Sequence, residues 1–323
     1  MLRKFTAALV AGMILVAGTA LSPAQAASVP ESKKPIKIAL NEWTGQLISA
    51  YVYGDILGRM GYTVEYVTAG AVPQYSALAD GNLTVNPENW DNNTGEVYPK
   101  AIASGDLLLV GPLGLKATES WMYPVYMEEK CPGLPDWKAL YKCAEAFATP
   151  ETFPKGRVID YPADWAARAA PLIEGTGLPF VAVPGGSEGA MVAELKSAVA
   201  NKEPVMIMFW APHWVFSEID VHWVQFAPWQ DGCDTDPALG PDPKKAGDCG
   251  PMQANVSKVA WKGMKTEWPA AFKLLQAYTI DNALQGKLMN EVDNKGRDVK
   301  EVVKEWVDAN KAVWQPWVDA AMK

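Results

Sequence analysis

Residues 36–67 read IKIALNEWTGQLISAYVYGDILGRMGYTVEYV, and this stretch decides the fold. Ile36–Leu40 is a short apolar strand. Leu47, Ile48, Tyr51, Val52, Ile56, Leu57 and Met60 then recur at helical spacing, and Gly61 is a good stop for that helix. Thr63–Val67 alternates like a second strand. Strand, helix and strand in that order make a βαβ unit with parallel strands. The theme continues outward. A helix at about Gln74–Ala79 ends at Gly81, and Leu83–Asn86 and Leu107–Val110 are strands. Ser120–Tyr126, Arg157–Asp160, Phe180–Val183 and Val205–Trp210 are strand-like, with helices around Trp165–Gly175 and Glu188–Ala200. Such alternation predicts an α/β protein with two lobes, each a parallel sheet covered by helices. From about Asn255 the tail reads as helical, and its Trp residues, Trp261, Trp268, Trp306 and Trp317 among them, read as core.

Composition narrows the function. The chain has 323 residues, 49% hydrophobic and 20% charged, enough for two domains and unlike a disordered or fibrous protein. Its net charge is −8, which argues against nucleic acid as a partner. Only 2 His argue against a His-rich metal enzyme, and 14 Trp argue for aromatic recognition or an aromatic-rich core.

Residues 1–26 read as an export signal. Arg3 and Lys4 form its positive start, Phe5–Leu21 is almost wholly apolar, and Ala24-Gln25-Ala26 is a small-x-small cleavage site. Loss of Arg3 and Lys4 takes the net charge to −10. No later segment reaches the length of a membrane span. An exported chain with Cys131, Cys143, Cys233 and Cys249 is expected to carry disulfides. Of three connectivities, the local pairs Cys131–Cys143 and Cys233–Cys249 are expected, each contributing roughly 2–4 kcal/mol. Residues 228–251 form a Pro/Gly/Asp-rich loop, in which Asp231, Asp234, Asp236, Asp242 and Asp248 are candidate ligands for a structural calcium ion. A solvated loop is the plainer alternative. No cofactor is required by anything else in the chain.

Several Trp residues sit at strand ends. Trp43 follows the first strand, Trp90 the third, Trp121 opens a strand in ESWMYPVY, and Trp210 ends the buried strand in MFWAPHW. In open α/β sheets ligands bind beyond the carboxyl ends of strands. Indole faces around one cavity suit a quaternary ammonium group, which cannot donate hydrogen bonds and is attracted to π-faces. Burial in separate cores is the alternative for each ring taken alone.

These same segments resemble the periplasmic binding proteins for glycine betaine, choline and related methylated amines, which serve ATP-driven importers. The likeness spans roughly residues 36–310. It is carried by Asn41-Glu42-Trp43-Thr44, Ile56-Leu57-x-x-Met60-Gly61-Tyr62, Asn89-Trp90, Trp121-x-x-Pro124-x-Tyr126, Ser187-Glu188-Gly189-Ala190-Met191 and Phe209-Trp210-Ala211-Pro212-His213-Trp214. The resemblance implies a two-lobed periplasmic-binding-protein fold of type II, with the ligand in the interlobe cleft and a membrane permease of the ABC importer as partner. It implies a box of Trp43, Trp90, Trp121 and Trp210, with Trp165 contacting the ligand from the second lobe. Residues 27–120 are then expected to form the first part of lobe 1, 121–214 lobe 2 and 215–323 the return to lobe 1, with hinge crossings near Trp121–Tyr126 and Trp210–Phe216. Choline-selective members resemble this chain around Trp43 but carry an acid where Gly45 stands here. The Asp160–Trp165 turn also lacks the Gly-rich form common in betaine binders. An all-Trp box with such a turn is similar to the trimethylamine N-oxide branch, with glycine betaine the other candidate ligand and choline or another betaine the alternative. Glu42, Asp160 and Asp164 are the candidate acids to meet the ligand.

Three rival readings attach to particular residues. Gly185-Gly186-Ser187-Glu188-Gly189 fits the G-x-S-x-G pattern of a serine hydrolase, with Asp220 and His222 following in the right order. Capping of the next helix by Ser187 is the alternative. His213 and His222 form a weak metal pair, lacking a partner at ligand spacing. The Asn89–Asn93 cluster keeps a carbohydrate ligand open. No P-loop and no G-x-G-x-x-G follows a strand.

Overall fold

The computed structural model describes residues 28–92 and 94–323. The expected export signal and Asn93 lie outside them. Two five-stranded sheets organise the chain. In the first, the order is Val64–Thr68, Ile36–Leu40, Val85–Trp90, Val256–Trp261, Leu107–Pro112. In the second, it is Val221–Trp223, Thr118–Pro124, Ile207–Ala211, Gly156–Asp160, Phe180–Pro184. Ile36–Leu40 lies inside its sheet and is buried on both faces, which is why it reads as an apolar run rather than an alternation. The βαβ opening is present, with Ile36–Leu40 parallel to Val64–Thr68 across the Thr44–Arg59 helix.

The tail locks onto the first lobe. The helices Asn282–Met289 and Val299–Ala309 pack on Thr44–Arg59. Tyr53 Oη donates to the Ala271 carbonyl at 2.8 Å, and Tyr278 Oη donates to the Ser49 carbonyl at 2.9 Å. Trp268, Trp306 and Trp314 are buried, as expected of core residues. Among the described residues no helix is long and apolar enough to cross a membrane.

Three expectations are corrected. The sheets are mixed, not parallel. Val256–Trp261 runs antiparallel to both its neighbours in the first sheet, and Thr118–Pro124 does so in the second. The reason is the chain's path, which leaves one lobe and comes back, so the returning strand enters from the opposite end. That strand was expected to be helical tail; its run VSKVAW hides its alternation because every residue before Trp261 is buried, Lys258 included. The lobe boundaries shift as well. Val221–Trp223 pairs with Thr118–Pro124, so the second lobe extends past 214, and the chain crosses between Pro112 and Thr118 and again between Trp223 and Val256.

Both local disulfides are formed, Cys131–Cys143 with Cα atoms 5.4 Å apart and Cys233–Cys249 with 6.4 Å. In the acidic loop Asp236 caps a short turn through Ala238 N, Asp242 accepts from Lys244 N, and buried Asp248 accepts from Asp242 N. Among the described residues no three of the five carboxylates gather within 4.8 Å, and the group around Asp248 is completed by the two disulfide sulfurs. Asp236, Asp242 and Asp248 thus serve the loop's own backbone.

Candidate functional site

Between the lobes lies a cavity of about 430 Å³, part of it open to solvent. Its lining is Trp43, Ala71, Gln74, Tyr75, Glu88 and Trp90 from the first lobe and Glu119, Tyr161, Trp165 and Trp210 from the second.

Local structure aims each ring. Trp43 is the extended residue that precedes the Thr44–Arg59 helix, so its side chain leaves the sheet at the cleft. Trp90 ends its strand. Tyr161 and Trp165 follow Gly156–Asp160, and Trp210 lies near the end of Ile207–Ala211. The rings touch edge to face. Trp43 meets Trp165 across the cleft at 5.2 Å between centroids, Trp165 meets Trp210 at 5.4 Å, and Tyr161 meets Trp165 at 5.8 Å and Trp210 at 5.6 Å. Edge-to-face contact leaves ring faces free to point inward, where a cation is attracted by their negative quadrupoles.

Trp121 is the correction to the expected box. It is 0% exposed and packs between Phe180 and Phe226 inside the second lobe, away from the cavity. The strand begins at Thr118, not at Ser120, which places Trp121 three residues in. Register makes the consequence plain: Glu119 lies opposite Trp210 at the rim, and Trp121 opposite Met208. At about 3.4 Å per residue, Trp121 sits roughly 7 Å deeper than Glu119 on the same face. Tyr161 takes the fourth wall.

The acids also differ from expectation. Glu42 and Asp164 are exposed and do not line the cavity. Asp160 is buried but spent on backbone, accepting from the amides of Tyr161, Arg168, Ala169 and Ala170. The carboxyls facing the cavity are Glu88 and Glu119, which the sequence reading missed. A glutamate two residues before a rim tryptophan, on the same strand face, was the available signal for Glu88. Glu119 is 3% exposed, accepts from Tyr161 Oη at 2.7 Å and is also hydrogen-bonded by Asn92 Nδ2. Burial raises its pKa, against the opposing pull of the Arg168 charge and of these two donors. Burial likewise raises that of Glu88, opposed by hydrogen bonds from Ser49, Trp90, Trp43 and Gln285.

Two sets of contacts hold the lobes around the cavity. On one side Glu188 accepts from Thr44 N, the first amide of the first lobe's long helix, at 2.8 Å and pairs with His213 Nε2 at 3.1 Å. A carboxylate at a helix N-terminus is favoured by the helix dipole. Asp293 joins them, accepting from Thr44 Oγ1 at 2.6 Å and Trp214 Nε1 at 3.0 Å. On the other side the Arg168 guanidinium donates to the carbonyls of Asn92 at 3.1 Å and Met252 at 2.8 Å.

The rival chemistries find other uses for their residues. Ser187 Oγ accepts from Ala190 N at 3.2 Å, so it caps its helix. His222 is exposed and pairs with Glu128 at 2.8 Å, while His213 is buried against Glu188, so the two histidines do not meet. Asn89 is bound within the first lobe by Tyr75 and Ser257.

Comparison with known proteins fits this geometry. The profile of the family described as the substrate binding domain of ABC-type glycine betaine transport systems matches residues 34–309. The trimethylamine N-oxide-binding protein of Pelagibacter ubique (strain HTCC1062) is 30% identical over 294 residues, covering 89% of this chain and 91% of that protein. Among solved structures, lactococcal OpuAC in its closed form with glycine betaine superposes with a TM-score of 0.68 at 21% identity, covering 90% of this chain and 100% of that one. A choline-binding protein of an ABC transporter, in complex with choline, gives 0.69 at 17% identity, covering 91% and 97%. These two likenesses carry the fold.

Proposed function

Because the chain belongs to the family of substrate-binding domains of ABC-type glycine betaine transport systems, we propose that it captures a small trimethylated amine, trimethylamine N-oxide above the others, and delivers it to an ABC permease. The observation that carries this reading is an interlobe cavity walled by Trp43, Trp90, Tyr161, Trp165 and Trp210, with two carboxyls and, among the described residues, no Lys or Arg in its lining. Ring faces and negative charge attract the methylated nitrogen. The absence of a basic group among the lining residues disfavours a carboxylate tail, and so glycine betaine. Glu119, its pKa raised by burial, supplies a carboxyl placed to share a proton with an N-oxide oxygen. Choline is the second reading, since its hydroxyl can donate to the same carboxyl in its ionised form.

The ligand leaves as it came. Its capture needs no cofactor and no reacting group, and the place of action is the periplasm, reached through the export signal at residues 1–26. The size of the site sets the scale. Trimethylamine N-oxide has about five heavy atoms, and ~1.5 kcal/mol per atom gives a ceiling near −7.5 kcal/mol, a Kd of roughly 3 μM. Calorimetry with trimethylamine N-oxide, glycine betaine, choline, carnitine and proline betaine tests the proposal, with NMR of the recovered ligand to check that it is unmodified. The N-oxide should bind tightest, at micromolar Kd. Failure of every one of these amines to bind below 1 mM would reject the reading, and a preference for glycine betaine would reject the assignment of Glu119.

A further inference from the structure

Glu88 is 1% exposed and lies in the strand Val85–Trp90, beneath two walls of the cavity. Its Oε1 accepts from both Trp43 Nε1, at 3.2 Å, and Trp90 Nε1, at 3.0 Å. Its Oε2 accepts from Ser49 Oγ and from Gln285 Nε2, each at 2.6 Å. An indole N–H can only donate, so Oε1 is an acceptor twice over, and a proton on Oε2 would have to reverse the Ser49 bond or displace Gln285. Four donors around two oxygens are the environment of an ionised carboxylate. None of the four carries a charge, and Glu88 has no ion pair among the described residues. Burial raises the pKa of this carboxyl and the four donors oppose that rise, so its negative charge is stabilised by hydrogen bonds alone and not neutralised by a cation.

We infer that Glu88 is the positioning and charge-selecting residue of the cage: it fixes the Trp43 and Trp90 indoles edge-on, and its unneutralised charge makes the site discriminate a cationic centre from a neutral group of the same shape. This deepens the proposed function and rests on it. Two physical effects act together. Hydrogen bonding to a carboxylate pushes electron density from the N–H edge toward the ring, which strengthens the face that meets the cation. The charge itself attracts the ligand's nitrogen through a water-poor interior, where screening is weak. A third consequence is preorganisation. Trp43, Ser49, Glu88, Trp90 and Gln285 all belong to the first lobe, so these two walls are set before the lobes close and lose little freedom on binding.

The test pairs trimethylamine N-oxide with tert-butanol, its neutral near-isostere, in the wild type and in Glu88→Gln, with affinities from tryptophan fluorescence titration. The neutral amide fills the same space and still offers an oxygen to the indoles. The N-oxide should weaken at least 10-fold in Glu88→Gln and tert-butanol by no more than 2-fold, so that the ratio of the two affinities falls at least 5-fold. Glu88→Asp, which keeps the charge but is too short to reach both indoles, should restore at least half of that ratio. It also carries the test if Glu88→Gln shows no cooperative melt, because the Gln285 and Ser49 bonds are then the fragile part. Indole ¹H–¹⁵N spectra of the ligand-free protein read positioning without any ligand. Trp43 and Trp90 should shift in both variants while Trp121, Trp210 and Trp268 stay. A fall in the affinity ratio of less than 5-fold, or unmoved Trp43 and Trp90 resonances, overturns the inference. A wild type that binds no methylated amine while its Trp43 and Trp90 resonances respond to Glu88 substitution rejects the functional reading and the charge role, and leaves the positioning role standing.

Discussion

Replacing Trp43 by alanine separates the cage from every alternative use of this cleft. The structure sets the size of the effect. The variant removes one ring face from the cavity, a desolvated cation–π contact of about 2 kcal/mol. It also removes the edge-to-face contact with Trp165 at 5.2 Å, among the described residues the one ring pair of the cage that spans the two lobes, at about 0.5–1.5 kcal/mol. Together these predict a loss of roughly 70–400-fold in affinity, taking a Kd of about 3 μM to roughly 0.2–1 mM. Trp43→Phe is the graded control. It keeps a ring but loses the bond to Glu88 at 3.2 Å, about 1 kcal/mol, and should weaken binding by roughly 5–10-fold. Isothermal calorimetry with trimethylamine N-oxide measures both, and thermal melts confirm that the variants are folded. A loss below 5-fold in Trp43→Ala would refute the reasoning, because it would mean that this ring does not face the ligand.

Other outcomes follow from the same coordinates. Trp121→Phe should leave ligand affinity within 3-fold of wild type by calorimetry. Its stability should change by no more than about 1 kcal/mol in urea unfolding, since lost ring area is offset by removal of an indole N–H that has no partner. Arg168→Met, which releases the carbonyls of Asn92 and Met252, should weaken closure and cost upward of about 100-fold in affinity, from two charged hydrogen bonds of about 1.5–3 kcal/mol each. Replacing both Cys233 and Cys249 by serine opens a loop with a sequence separation of 16 and should cost about 3 kcal/mol in denaturant unfolding. Asp293 has a carboxyl whose pKa is pushed up to about 6 by desolvation and by the charge of Glu188, against the opposing influence of Thr44, His213 and Trp214. When the lobes part it should return toward the ordinary carboxyl range, so closing takes up a proton between about pH 4 and 6. On this group's account, ligand affinity rises as pH falls through 6, and Asp293→Asn should flatten that part of the profile in calorimetry at pH 5 and 7.5.

What the sequence revealed depended on whether a residue's neighbours fixed its depth. Trp43 follows a clean strand and precedes a clean helix, so its place at the rim was legible. Trp90 and Trp210 end strands and were legible for the same reason, as was Trp165 through the likeness of its turn. Trp121 was not. Polar Thr118 and Glu119 look like loop, yet both belong to the strand and Glu119 is buried in it, and a two-residue error in where a strand begins moves a side chain from rim to core. Glu88 and Glu119 were hidden by the same rule that usually serves well: carboxylates are rarely buried unless paired, so neither stood out as a candidate. Their partners are indole, phenol, amide and hydroxyl groups distant in sequence, Gln285 and Tyr161 among them, and only the fold brings these together. The buried strand Val256–Trp261 escaped notice because Lys258 breaks its apolar run. That lysine is satisfied by the Gln276 and Tyr278 carbonyls at 3.0 and 2.6 Å, a solution that leaves no mark in the local sequence.

The central claim concerns where a methylated nitrogen comes to rest, and a crystal structure of the protein grown with trimethylamine N-oxide measures that position. The nitrogen should lie within about 6 Å of the ring centroids of Trp43, Trp90, Trp165 and Trp210, with the oxygen turned toward Glu119. Density for the amine elsewhere, or with Trp43 and Trp90 turned away from it, would contradict the account.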